Sequence, residues 1–192
     1  MRNLHKSIIE LNSKGKALVI CITGESSSGK TSVSKYLYSK YPFYQYISLG
    51  LISKALRFAL PLSKKNFEMG DNKFVNEKIN EFLYECISYY GEKGVNTIID
   101  GVQCDTEYLS KNPYLSGGII IQAPIESRKK WSARPETHFN RQQDDNTLNS
   151  KISYIPTEKF VFLENREGVD ICAKAEDVIE QLLLKEGISD TE

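Results

Sequence analysis

The apolar positions of the chain alternate between two spacings. Residues 17–23, Ala-Leu-Val-Ile-Cys-Ile-Thr, form an unbroken apolar run bounded by glycine-containing sequence, which predicts a short strand buried on both faces. Residues 31–40 read as the helix that follows, 43–48 as a second, aromatic and β-branched strand, and 50–60 as helix. Residues 61–73 are polar and rich in breakers, an exposed connection. Val75, Ile79, Phe82, Leu83, Cys86, Ile87 and Tyr90 recur at helical spacing and predict a long helix over 74–91. Residues 97–100 form a buried strand ending in the carboxylate of Asp100, and 118–122 another strand. Pro124 suits the first turn of a helix that continues over 125–133. Residues 134–158 are charged, rich in Asn and Gln and poor in core residues, which predicts a mobile lid. Residues 160–163 make the last strand, and Ala175, Val178, Ile179, Leu182 and Leu183 mark a closing amphipathic helix. Strands alternating with helices predict an α/β fold, a mostly parallel sheet flanked by helices, with ligands bound beyond the carboxyl ends of the strands.

Composition narrows this picture. The 192 residues fit a single domain with a small lid. Lys plus Arg and Asp plus Glu both number 25, so the net charge is zero and a broad electrostatic grip on nucleic acid is not expected. No apolar run approaches the roughly 20 residues a membrane helix needs, and residues 1–16 are polar, without a signal-peptide core. Cys21, Cys86, Cys104 and Cys172 show no metal-ligand spacing. Cys21 and Cys86 lie in apolar periodic runs, where cysteine behaves as a small buried hydrophobe. Free thiols and the absence of a membrane segment together predict a cytoplasmic protein.

One motif carries chemistry. Gly24-Glu25-Ser26-Ser27-Ser28-Gly29-Lys30-Thr31 matches G-x-x-x-x-G-K-[ST] in full, with an apolar strand before it and a helix after it. Gly24 and Gly29 permit a turn that points successive N–H groups at phosphate oxygens, and the following helix adds the positive end of its dipole. Lys30 is then expected on the β- and γ-phosphates of ATP, and the Thr31 hydroxyl on Mg²⁺. Asp100, at the end of its strand, is the expected second carboxylate on the metal side; a turn or helix-capping role is the alternative.

With these segments in place the sequence resembles the P-loop nucleoside monophosphate kinases, the adenylate and cytidylate kinases above all. The phosphate loop carries part of the resemblance. Ile47-Ser48-Leu49-Gly50-Leu51-Ile52-Ser53-Lys54-Ala55 is similar to the family's acceptor segment, and Ile99-Asp100-Gly101 to its Asp-Gly after the third strand. Arg141-Gln142-Gln143-Asp144-Asp145, with Lys151 and Tyr154 downstream, is similar to its lid. Lys54 stands where the family has an acceptor arginine, Leu49 where it has threonine, and Val102, Gln103 and Cys104 where an arginine follows the Asp-Gly. Arg57, one helical turn beyond Lys54, shares its face.

The resemblance implies a three-layer P-loop NTPase fold with a small mobile lid over about 134–158 and an acceptor region over about 47–75. It implies ATP and Mg²⁺ as cofactors and transfer of the γ-phosphoryl group to a small phosphorylated acceptor, foremost a nucleoside monophosphate. Lys30, Asp100, Arg128, Arg134 and Arg141 take catalytic places in it; Lys54, Arg57 and Gly101 face the acceptor; Gly168 lies in the loop that touches the adenine. The stretch 44–54 holds no Asp or Glu, which favours an already anionic acceptor over a hydroxyl that needs a base. The alternatives are a small-metabolite kinase resembling dephospho-coenzyme A kinase, a nucleotide-binding module without turnover, and a kinase of nucleic-acid ends, the last disfavoured by the neutral charge.

Overall fold

A computed structural model describes residues 3–52, 55, 72–102, 104–132, 154–155 and 157–188, with the backbone alone over 72–75. Five strands, β1 (Val19–Gly24), β2 (Gln45–Ser48), β3 (Thr97–Asp100), β4 (Gly117–Gln122) and β5 (Phe160–Glu164), form one sheet in the order β2-β3-β1-β4-β5. Every neighbouring pair is parallel. The helices are α1 (Leu4–Ser13), α2 (Lys30–Lys40), α3 (Asn72–Glu92), α4 (Thr106–Ser110), α5 (Ile125–Ser132) and α6 (Ile171–Lys185).

The central strand explains the layering. All six residues of β1 are buried, and its side chains alternate between two cores. Ile20 and Ile22 pack with Ile8 and Leu11 of α1, Leu37 of α2, and Ile179 and Leu183 of α6. Val19 and Cys21 pack on the other face with Ile79, Leu83 and Ile87 of α3 and Leu109 of α4. A strand with helices on both faces needs no polar side, hence the unbroken apolar run. Each fully buried isoleucine or leucine contributes roughly 1.5–3 kcal/mol.

Among the described residues the expected strands, the helices over 31–40, 74–91 and 125–132, and the closing helix are present with small changes at their ends. Most of the helix expected over 50–60 and of the lid lies outside the described residues, and some details differ. Helix α1 falls in residues that the hydrophobic pattern had left without an element. Leu4, Ile8 and Leu11, spaced by four and three, bury one face of it, and Asn3 caps it by accepting from the Lys6 amide. Phe82 is not on the buried side of α3 but 48% exposed; the buried stripe runs through Ile79, Leu83 and Ile87, and at about 100° per residue Phe82 is turned well away from it. Cys86 is half-buried for the same reason, whereas Cys21 is fully buried. Helix α4 was not expected, although Asp105 is an ordinary N-cap that accepts from the Tyr108 amide. Among the described residues no helix is long and apolar enough to cross a membrane.

A polar staple closes the amino-terminal edge of the sheet. Asn96 is fully buried. Its Oδ1 accepts from the Leu18 amide at 2.8 Å and from Asn12 Nδ2 at 3.0 Å, while its Nδ2 donates to Asn12 Oδ1 at 2.6 Å and to the Pro42 carbonyl at 2.8 Å. One amide thus ties α1 to the starts of β1, β2 and β3. Asn96→Ala strands several of these groups in the interior, at about 1–3 kcal/mol for each group left unpaired. We expect a loss on the order of 3 kcal/mol, seen as a fall in Tm of roughly 6–12 °C. A thermal unfolding scan checks it, and a change under 2 °C would show that the staple is not needed.

Candidate functional site

The site lies where β1 ends and α2 begins. Gly24, the last residue of β1, has φ 141°, and the carbonyl of Ile121 on β4 stands where a Cβ would be. Gly29, the N-cap of α2, has φ 102°, and a Cβ there would meet Asn165 Nδ2 at 2.5 Å. Ser27, with φ 58°, is the one non-glycine residue of positive φ among the described residues. These three conformations turn the eight-residue loop sharply between β1 and α2, the kind of turn in which successive backbone N–H groups and a helix amino end can be aimed at one anion. Asn165, just after β5, secures the loop from outside: its Nδ2 donates to the Ser28 carbonyl at 2.8 Å, and its own amide bonds the Gln122 carbonyl.

Lys30 is the first residue of α2, and its side chain is buried within the loop rather than exposed to solvent. Its Nζ donates to the Glu25 carbonyl. Burial brings its pKa from the ordinary 10.5 down to about 8; the charge of Asp100 opposes this, and that of Arg128 adds to it. Thr31, the next residue, donates from Oγ1 to Asp100 Oδ2 at 2.8 Å. Asp100 ends β3, the neighbour of β1, and is 3% exposed. The two residues expected to share a metal ion are therefore in direct contact.

Two further groups complete this side, and the sequence offered no signal for either. Tyr46 on β2 donates its hydroxyl to the same Asp100 Oδ2, also at 2.8 Å. Burial first, then the charge of Asp100, pushes the phenol well above its ordinary pKa, so it acts as a neutral donor. Thr23 on β1 donates to the Gly101 carbonyl at 2.7 Å and holds the turn after Asp100. Gly101 itself is required by packing, because the Leu49 side chain fills the place of a Cβ.

Arg128 is the buried side chain of α5. It is not a solvated helix-end cation: its Nε donates to the Ala123 carbonyl at 3.2 Å and lies 3.4 Å from Glu25 Oε2 of the loop. Its Nη1 and the Ser28 hydroxyl are both buried without a hydrogen-bond partner. Unsatisfied donors of this kind, beside a loop of convergent amides, are what an anion would complete. Gly168 forms an exposed left-handed turn with open space around it, so the turn alone accounts for the glycine. Tyr154 is buried and donates to the Val102 carbonyl at 2.9 Å, beside the turn that follows β3. The Ile52 side of the expected acceptor segment is described, with residues 49–52 and Ala55 helical. Lys54, Arg57, Arg134, Arg141, Asp144, Asp145 and Lys151 lie outside the described residues, as does most of the expected lid.

Among the described residues no group of three or more His, Cys, Asp or Glu side chains is placed to hold a metal ion. A hydroxyl bonded to one carboxylate fits Mg²⁺ better than a softer metal, since that ion keeps several waters and takes ligands from nucleotide phosphates. The residues present therefore fit an Mg²⁺-nucleotide: amides and Lys30 for phosphate, Thr31 and Asp100 for the cation.

No protein-family model and no curated protein matches the chain in sequence. Solved structures do match in shape. A sugar kinase from Janibacter sp. HTCC2649 superposes with a TM-score of 0.57 at 20% identity, over 90% of this chain and 96% of that one. A gluconokinase from Sinorhizobium meliloti 1021 gives 0.55 at 15% identity, over 91% and 98%. The APS kinase of Mycobacterium tuberculosis, solved in complex with AMPPNP and APS, gives 0.52 at 14% identity, over 88% and 98%. Identities this low speak to fold alone, and on that the match is consistent: the chain shares the α/β fold of these solved kinases, with its own five-stranded parallel sheet and glycine-shaped loop after the central strand.

Proposed function

We propose that the protein is an ATP-dependent phosphotransferase that passes the γ-phosphoryl group of ATP to a small phosphorylated acceptor, a nucleoside monophosphate in the first instance. The observation that carries this reading is the bond from Thr31 to Asp100 across the mouth of an anion-binding loop. In this reading the loop amides and Lys30 hold the β- and γ-phosphates, Arg128 faces the transferring group, and Thr31 with Asp100 holds Mg²⁺. The metal, when bound, neutralises phosphate charge as it shifts between donor and acceptor. Arg134 and Arg141 join from the lid, and Lys54 and Arg57 hold the acceptor phosphate. Positioning and charge neutralisation are what phosphoryl transfer asks of a protein.

The two carboxylates beside the loop bear on the acceptor. Asp100 accepts from Thr31 and Tyr46, and Glu25 pairs with Arg128. Both are engaged, and an anionic phosphate acceptor needs no general base. A second reading, transfer to a hydroxyl of a small metabolite, draws support from the similar structures named as a sugar kinase and a gluconokinase. A coupled ATP-consumption screen over nucleoside monophosphates, sugars, sugar acids and their phosphates separates the two. Turnover with the monophosphates and none with the unphosphorylated hydroxyl compounds is the expected result; the reverse pattern establishes the second reading.

Two outcomes are expected for Lys30. Replacing it with methionine keeps the buried stem and removes the charge, so turnover on the identified acceptor should fall by a factor on the order of 10² or more. Steady-state assays check this, and wild-type turnover in the variant would remove Lys30 from the mechanism. The second outcome concerns stability without ligand. With a folded pKa of about 8 and an ordinary value of 10.5, the unfolded chain binds the extra proton between those two values. Stability therefore rises with pH across that window. In urea unfolding at about pH 7.5 and about pH 10, wild type should gain stability relative to Lys30→Met at the higher pH. A difference that does not change with pH would show that the ammonium is not desolvated.

A further inference from the structure

Asp100 Oδ2 accepts hydrogen bonds from two different elements. Thr31 reaches it from the first turn of α2, and Tyr46 from β2, the outer strand. The register shows that from position 46 the reach takes a long side chain. Ser48 is the residue paired with Asp100, while Tyr46 is paired with Ile98, two residues earlier on the same face. From this diagonal position an aromatic side chain with a terminal hydroxyl reaches the carboxylate, a span too long for a serine or threonine at the same place. The ring is steadied by Tyr38 of α2, with centroids 5.6 Å apart and planes at 51°. The phenol thus spans the gap between β2 and the carboxylate and donates a second hydrogen bond to the oxygen that already accepts from Thr31.

We propose that Tyr46 is a positioning residue for the metal side of the site: its hydroxyl pins Asp100 in the orientation that supports a divalent cation at Thr31. This rests on the phosphotransferase reading and goes beyond it, because the bond comes from the strand that leads into the acceptor segment. With a cation on the Thr31 oxygen, its hydroxyl would still donate its hydrogen bond to Asp100. Tyr46 would then provide the fixed contact that holds the carboxylate in that orientation. Hydrogen-bonding partners behind a metal site of this sort typically account for 10- to 100-fold in metal affinity.

Tyr46→Phe removes the hydroxyl and keeps the ring contact with Tyr38. The affinity of the full-length protein for a nonhydrolysable ATP analogue is measured by calorimetry twice, in excess Mg²⁺ and in EDTA, for wild type and variant. The expected result has two parts. In EDTA the affinities agree within about twofold, because the loop, Lys30 and Arg128 are untouched. In Mg²⁺ the variant binds roughly 10-fold more weakly than wild type, because the increment from the metal has shrunk. Substituting Mn²⁺ and reading its electron paramagnetic resonance signal reports the bound metal directly, without turnover. A variant that keeps the full Mg²⁺ increment overturns the role of Tyr46 and leaves the phosphotransferase reading standing. Equal weakening with and without metal overturns it as well, by showing a general structural effect. So does wild-type binding that gains nothing from Mg²⁺. Wild type that fails to bind the analogue under either condition overturns the phosphotransferase reading itself, and this inference with it.

Discussion

The site depends on one close approach of backbone to backbone. Gly24 ends the central strand with the carbonyl of its β4 neighbour, Ile121, occupying the space any side chain would need. Only glycine allows β1 to stay paired with β4 to its last residue and then turn at φ 141° into the loop. The same limit recurs at Gly29, where Asn165 presses from outside. Between them Ser27 takes a left-handed conformation that costs energy in isolation and is held here by the surrounding bonds. The course of the loop is thus set by two strands and one asparagine rather than by the loop alone.

Charge is concentrated around this loop. The chain as a whole is neutral, yet Lys30, Arg128, Asp100 and Glu25 are gathered at one point. Lys30 sits on the Glu25 carbonyl, Arg128 faces the Glu25 carboxylate, and Asp100 takes two hydroxyl donors. Buried charges persist only when partnered, and each of these is partnered by a neighbour that an incoming anion or cation could replace. The depressed pKa of Lys30 records the strain of that arrangement. A phosphate beside the ammonium would favour its charged form and relieve it. Binding and electrostatic relief are therefore coupled in the same few residues.

Much of this was legible in the linear sequence. Where burial on both faces demands an unbroken apolar run, as in β1, β3 and β4, pattern alone located the strands. The loop was legible because its chemistry requires glycine, lysine and threonine at fixed spacing, and Asp100 because a carboxylate ending a buried strand is otherwise expensive. Helix α1 was also written in the spacing of Leu4, Ile8 and Leu11, but polar neighbours diluted the signal. Phe82 misled because hydrophobicity marks what prefers burial, whereas the neighbouring sheet decides which stripe of a helix receives it.

The amino-acid sequence by itself determined the order of elements, the position of the phosphate loop and the residue types able to serve it, since these follow from local period and steric necessity. Only the tertiary structure decided who meets whom. Tyr46 lies 54 positions from Asp100 along the chain and Thr31 lies 69, and Asn165 lies 137 from the loop carbonyl it binds. No periodicity reports such pairs. They arise because β3 pairs with β1 and β2 with β3, all in parallel register, which brings the carboxyl ends of distant strands to one edge, where a phenol two residues back on β2 is long enough to cross to the carboxylate.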